Sequence, residues 1–201
     1  MLRKTISACT TFMVLFILGN TTFAEEITIN KEIQKIGTEK TCYIDDVDDG
    51  DTISLKCGEN EIIPNVRIMG INTPDFDRIN QIIHCYYDES QNVMEKIRKN
   101  ERELKVEFYG SDLCKDTYKG CRNVVRLIDK ETSIDINKSM IADGYAFSWT
   151  DFSIIPKKIR NSYKLAELDA KDNNKGLWGK CEINYFEKGE MDSGVADKMT
   201  E

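Results

Sequence analysis

Residues 45–51 read Asp-Asp-Val-Asp-Asp-Gly-Asp, five carboxylates in seven positions. Carboxylates at that density can hold a hard cation through oxygen ligands. An EF-hand is excluded. With Gly50 in the sixth place of such a loop, Val47 fills the third, and Lys56 stands where the closing glutamate belongs. What remains is a hard-cation site at a strand end, through carboxylates such as Asp51, against the plain alternative of a solvated hairpin turn. The chain has one histidine, His84. A multi-histidine zinc site is therefore excluded, and a Ser-His-Asp triad would have to use that residue. His84 reads most simply as a loop residue beside Cys85. Phe147 and Trp149 are candidates to stack on bases, with core packing as the alternative. Lys157, Lys158, Arg160 and Lys164 form a basic stretch that either steers a polyanion or solvates a helix face.

Cysteine usage depends on how the chain begins. Arg3 and Lys4, an apolar run over 11–18 and small residues before position 25 read as a secretory signal over 1–24. The run is too short for a membrane span. Cys9 in Ile6-Ser7-Ala8-Cys9 resembles a lipobox, but the apolar run follows it. Removal of the signal leaves six cysteines: Cys42, Cys57, Cys85, Cys114, Cys121 and Cys181. An even number in an exported chain points to disulfides, of which six cysteines allow 15 pairings; six free thiols are the alternative. Cys42 and Cys57 are symmetric about Asp49-Gly50, a hairpin signal, and are expected at a hydrogen-bonded pair across two strands, where Cα atoms lie about 5.5 Å apart. Cys114 and Cys121 bracket a short loop, and Cys85 and Cys181 pair by elimination. The destination is the periplasm or the exterior.

The chain of 201 residues carries 28 basic and 35 acidic side chains, a net charge of −7. A protein that holds nucleic acid by general polyanion attraction should be basic, so that class is excluded. Charged residues at 31% and hydrophobic residues at 40% exclude wholesale disorder.

The elements that must position these residues follow from periodicity. A polar lead-in covers 25–40. Strands are expected over 41–47, 52–57, 62–71 (with a bend at Pro64), 104–109 and 123–128, and helices over 89–103, over 134–142 and from Pro156 onward to about 172. A polar acidic tail covers 182–201. Five short strands with helices after the third and fifth give an α+β chain: a five-stranded β-barrel of the OB-fold type with about three helices, over 41–181.

One order of motifs narrows this further. Asp49-Gly50-Asp51-Thr52 precedes Arg67-Ile68-Met69-Gly70-Ile71-Asn72-Thr73-Pro74-Asp75. Asp143-Gly144-Tyr145-Ala146, Tyr163, Ala166-Glu167, Ala170-Lys171 and Gly176-Leu177-Trp178 follow. In this order and spacing the sequence resembles the thermonuclease, or staphylococcal-nuclease-like, family across 41–178. The resemblance implies an OB-fold and a calcium-dependent phosphodiesterase acting on DNA or RNA. It implies that Asp51, Asn72 and the backbone carbonyl of Thr73 hold Ca2+. Asp75 would act as the base that activates water, and Arg67 and Arg122 would grip the phosphate. The chemistry is coherent, because a hard cation polarises a phosphoryl group and arginine binds phosphate bidentately.

Three departures bear on activity. The family pattern has aspartate at Asn72 and glutamate at Asp75, and residues 116–122 contain two extra residues between Tyr118 and Arg122. Arg126 is a second, less direct choice for the second arginine. The resulting expectation is an exported, monomeric, calcium-dependent nuclease of weakened activity, with no membrane span in its mature form. The alternative is a catalytically silent OB module that binds nucleic acid or a protein.

Overall fold

The computed structural model describes residues 27–112, 121–150, 154–185 and 191–192. A two-residue strand, β1 (Thr28–Ile29), precedes β2 (Glu39–Val47), β3 (Thr52–Cys57) and β4 (Glu61–Ile68). Three short strands, β5 (Ile71–Asn72), β6 (Phe76–Asp77) and β7 (Ile82–Ile83), lead into helix α1 (Tyr87–Lys99). Then come β8 (Leu104–Ser111), β9 (Asn123–Asp129), α2 (Ile136–Ala142), β10 (Phe147–Ser148), α3 (Lys157–Asp172), the single-turn α4 (Leu177–Lys180), β11 (Asn184–Tyr185) and β12 (Met191–Asp192). The signal read over 1–24 lies outside the described residues.

Strands β4, β3, β2, β8 and β9 pair in that order, and β9 returns to β4 in parallel, with Arg67 opposite Val124 and Ile68 opposite Val125. The ring closes into a five-stranded barrel of the OB type, with α1, α2 and α3 packed around it. Alternation drives this: Leu104, Val106 and Phe108 of β8 and Leu55 of β3 point inward and are buried, with Lys105 and Lys56 outward. Met94, Met140, Ile141 and Tyr163 cap the same core from the three helices. Each fully buried side chain of this kind contributes about 1.5–3 kcal/mol.

The β2–β3 hairpin differs from a simple two-residue turn. Val47 pairs with Ile53, and Asp48 and Asp49 both donate to the Thr52 carbonyl. The register then shifts between Ile44 and Asp46, which brings Cys42 opposite Cys57. These two are disulfide-bonded at a Cα separation of 4.1 Å. That is the spacing of a non-hydrogen-bonded pair, about 4.5 Å, and not the 5.5 Å expected, because a bulge changes which pairs exchange hydrogen bonds.

Pro64 does not end β4. The register with β3 shifts there, and Asn65 adopts φ 52°. A bulge accommodates a residue that lacks an N–H. The strand instead ends at Ile68, and the turn at Met69-Gly70 separates it from β5. The lead-in is partly structured, since β1 adds in parallel outside β4. The start of the tail is structured too, as β11 and β12 pair. Helix α2 begins at Ile136 and not at 134, because the Asp135 side chain caps it by accepting from the Lys138 N–H at 3.1 Å.

Two glycines join the C-terminal motifs. Gly144 has φ 73° and Gly176 φ 52°, and a Cβ on either would collide with the other's backbone segment. The Gly144 carbonyl accepts from the Leu177 N–H at 2.9 Å, which locks α4 against the end of α2.

Candidate active site

The β2–β3 turn, the end of β4 and the segment 71–75 meet at one end of the barrel. Asp51 immediately precedes β3, and its N–H donates to Asp49 Oδ1 at 3.0 Å. Its own carbonyl accepts from the Ile68 N–H at 2.8 Å, tying turn to strand. Gly50 is required by close approach, since a Cβ there would lie 2.8–3.0 Å from the Thr73 side chain. The turn at Gly70 (φ 74°) folds β5 back on β4. Buried Asn137 of α2 secures this turn by donating to the Met69 carbonyl at 2.9 Å and accepting from the Leu127 N–H at 2.9 Å.

The result is a buried polar cluster. Asp51 and Arg67 are 3% and 7% exposed. Arg67 Nη1 pairs with Asp51 Oδ1. Arg67 Nη2 donates to the Ile71 carbonyl at 2.9 Å and to Asn72 Oδ1 at 3.2 Å. Asp51 Oδ2 accepts from the Thr73 N–H at 2.9 Å. The Trp149 ring lies over the Arg67 guanidinium, 5.2 Å from ring centroid to Cζ, a cation–π geometry. Burial lowers the Arg67 pKa to about 10, and Arg122 pushes the same way against Asp49, Asp112 and Asp75. Arg67 remains a cation at neutral pH.

These residues line a cavity of about 440 Å³ together with Pro74, Asp75, His84, Arg122 and Phe147. The structure thus brings Asp51, Arg67, Asn72, Thr73, Asp75 and Arg122 to one space. Asp75 follows β5, and its Oδ1 accepts from the Phe76 N–H at 2.7 Å. Arg122 stands just before β9, and its Nε donates to Asp112 Oδ2 at 2.6 Å. Its N–H donates to Asp112 Oδ1 at 2.8 Å. Residues 113–120 between them lie outside the described residues, as does the insertion before Arg122 apart from Cys121.

Arg126 is elsewhere. It pairs with Glu107 and Asp135 on the flank where Tyr163 also donates to Asp135. Phe147 is buried edge-on against Trp178, with centroids 5.2 Å apart, so of the two aromatic candidates Trp149 faces the cavity more openly. Lys157, Lys158 and Lys164 lie exposed on α3. Cys85 is bridged to Cys181. Cys121 is disulfide-bonded, and Cys114 lies outside the described residues. Sequence reasoning missed Asp112, the partner of Arg122, because a lone aspartate before the Cys114–Cys121 segment carries no signal of that pairing.

The oxygens that the resemblance nominates for a cation are all hard: one buried carboxylate, one amide and a backbone carbonyl, of which the Asp51 and Asn72 oxygens here accept from Arg67 and the Thr73 N–H. Such a set fits calcium and not zinc. Its charge is low. Among the described residues no group of three or more His, Cys, Asp or Glu is placed to hold a metal.

The sequence model of the staphylococcal nuclease homologue family matches residues 65–180, more than half of the chain. The chain belongs to the staphylococcal nuclease homologue family. The matched stretch of this nuclease homologue contains Arg67, Asn72, Thr73, Asp75 and Arg122. Asp51 precedes it, yet the same barrel carries Asp51 into the cluster. No curated protein matches the chain significantly.

Proposed function

We propose that this nuclease homologue hydrolyses phosphodiester bonds of DNA or RNA with calcium as its cofactor, and that it does so weakly. The observation that carries the reading is the convergence of two arginines, a buried carboxylate and an aspartate on one cavity. Asp51, Asn72 and the Thr73 carbonyl would hold the ion, which supplies Lewis-acid polarisation of the phosphoryl oxygen. Arg67 and Arg122 bind the phosphate and offset the charge that grows in the transition state. The Phe76 N–H orients Asp75 through Oδ1, and Oδ2 takes the proton of the attacking water.

Low activity follows from two residues. Asn72 removes one negative charge from the ion site, and fewer ligand charges weaken calcium binding. Asp75 is one methylene shorter than the family's glutamate. Misplacement by about 1 Å at a reacting centre costs about a hundredfold. Export is supported by the two disulfides with both cysteines described. Among the described residues, no helix is long and apolar enough to cross a membrane.

Asn72→Asp tests the reading. The substitution restores the missing charge in nearly the same shape. Tighter calcium binding and faster cleavage of DNA or RNA at limiting calcium are expected. A variant with neither removes Asn72 from any cation site, and one that binds calcium but cleaves nothing favours a silent module.

A further inference from the structure

His84 lines the same cavity as Arg67, Asp75 and Arg122, yet the reaction above gives it no part. Three features hold it there. Its N–H donates to the Asp75 carbonyl at 3.0 Å. The β6–β7 hairpin, with Phe76 opposite Ile83 and Asp77 opposite Ile82, brings the two ends of this segment together. The next residue, Cys85, is bridged to Cys181 just after α4. Acid and base candidates therefore share one frame.

Phosphodiester hydrolysis needs two proton transfers. Asp75 takes one from water. The sugar oxygen that leaves phosphorus carries away the electron pair of the broken P–O bond and needs a proton. Arginine is a poor donor, because its pKa exceeds 12 in ordinary surroundings and is still about 10 for Arg67. Imidazole changes charge between about pH 5 and 8, and His84 is the chain's one histidine. The charged groups that line the cavity with it are Asp49 and Asp51 from the β2–β3 turn, Arg67 from β4, Asp75 before the hairpin and Arg122 before β9, and Asp77 of the hairpin interacts with it electrostatically. Asp77 itself is held below its ordinary pKa mainly by hydrogen bonds from Asn80, with the charge of His84 adding to them.

We propose that His84 is the general acid of this site, donating its ring proton to the departing sugar oxygen as Asp75 removes a proton from the attacking water. The P–O bond to the water oxygen forms, the P–O bond to the sugar breaks, and the alcohol leaves neutral. Asp75 then releases its proton to solvent, and His84 regains one. This proposal rests on the nuclease reading above.

The test compares wild type with His84→Gln and His84→Ala on two substrates in calcium. One is a dinucleotide, whose leaving alkoxide needs a proton. The other is a nucleotide p-nitrophenyl ester, whose leaving phenolate does not. On the dinucleotide, kcat is expected to fall by about 10²–10⁴-fold, and the alkaline limb of the wild-type pH profile should vanish. On the p-nitrophenyl ester the loss should stay below about tenfold, because general-acid assistance is not needed there. That contrast also excludes misfolding of the variants. Equal losses on both esters, or an unchanged alkaline limb, overturn the role of His84 and leave the nuclease reading standing. A wild-type protein that cleaves neither substrate overturns both.

Discussion

Asp51 and Arg67 form a buried ion pair that serves the fold as well as the site, so breaking it should be costly. Asp51→Asn keeps the shape and an acceptor for the Thr73 N–H but removes the negative charge opposite Arg67. Both side chains are less than a tenth exposed. Removing one partner of such a pair costs about 3–5 kcal/mol, because the remaining charge stays buried. For a domain of this size that corresponds to a melting shift of about 6–20 °C. Arg67→Met should cost a comparable amount, since it takes the guanidinium from the Ile71 carbonyl and Asn72 Oδ1 and leaves buried Asp51 Oδ1 with the Thr52 hydroxyl but no cation. The double variant removes both charges and should cost less than the sum of the two. Coupling between residues in one network runs to about 0.5–3 kcal/mol. Urea denaturation of the four proteins in chelator measures the cycle. The reasoning fails if Asp51→Asn costs less than about 1 kcal/mol, the value of an exposed pair, or if the two losses add.

Three further outcomes are expected. Loss of the Cys85–Cys181 bridge, whose partners are 96 residues apart, should destabilise by up to about 4.7 kcal/mol, against about 3 for Cys42–Cys57 with its separation of 15; denaturation of the paired Cys→Ser variants checks the order. Burial alone would raise the Asp129 pKa, but hydrogen bonds from Thr132 and Arg102 outweigh it and hold the carboxylate below its ordinary range. Its stabilisation is therefore complete above the unfolded pKa of about 3.9 and is lost as pH falls through the lower folded value. Asp129→Asn should then cost stability at neutral pH and little in strong acid, as read from urea midpoints against pH. Gly50→Ala should cost about 1–3 kcal/mol by overpacking against Thr73, and Thr73→Ser, which deletes the nearest contacting atom, should recover part of it.

Residues with strong local signals were legible in the sequence. Alternation located the five barrel strands, and turn chemistry at Asp49-Gly50 located the hairpin that carries Asp51. What was not legible depends on tertiary contact. Strands of two residues, such as β5 and β10, contain no period, yet their pairing places Asn72 opposite Phe147 and carries Trp149 over Arg67. Helix α1 starts at Tyr87 after Tyr86 in a left-handed conformation without a side-chain cap, so only the acidic first turn at Asp88 and Glu89 marks its start. The Asp112–Arg122 pairing joins residues ten apart, a contact that no spacing rule encodes. His84 looked like a loop residue because its place depends on the hairpin and on a disulfide to Cys181, nearly a hundred residues away.

The proposed function requires that one cavity bind a cation and a phosphate and cleave the ester between nucleotides. The most direct measurement incubates the purified chain, from residue 25 onward, with DNA and with RNA strands in excess calcium and in chelator. Slow cleavage of at least one strand is expected in calcium and none in chelator, with a further loss in Asp51→Asn and in Arg122→Ala. Cleavage that survives chelator, or no cleavage by wild type at any calcium concentration, would contradict the proposed function.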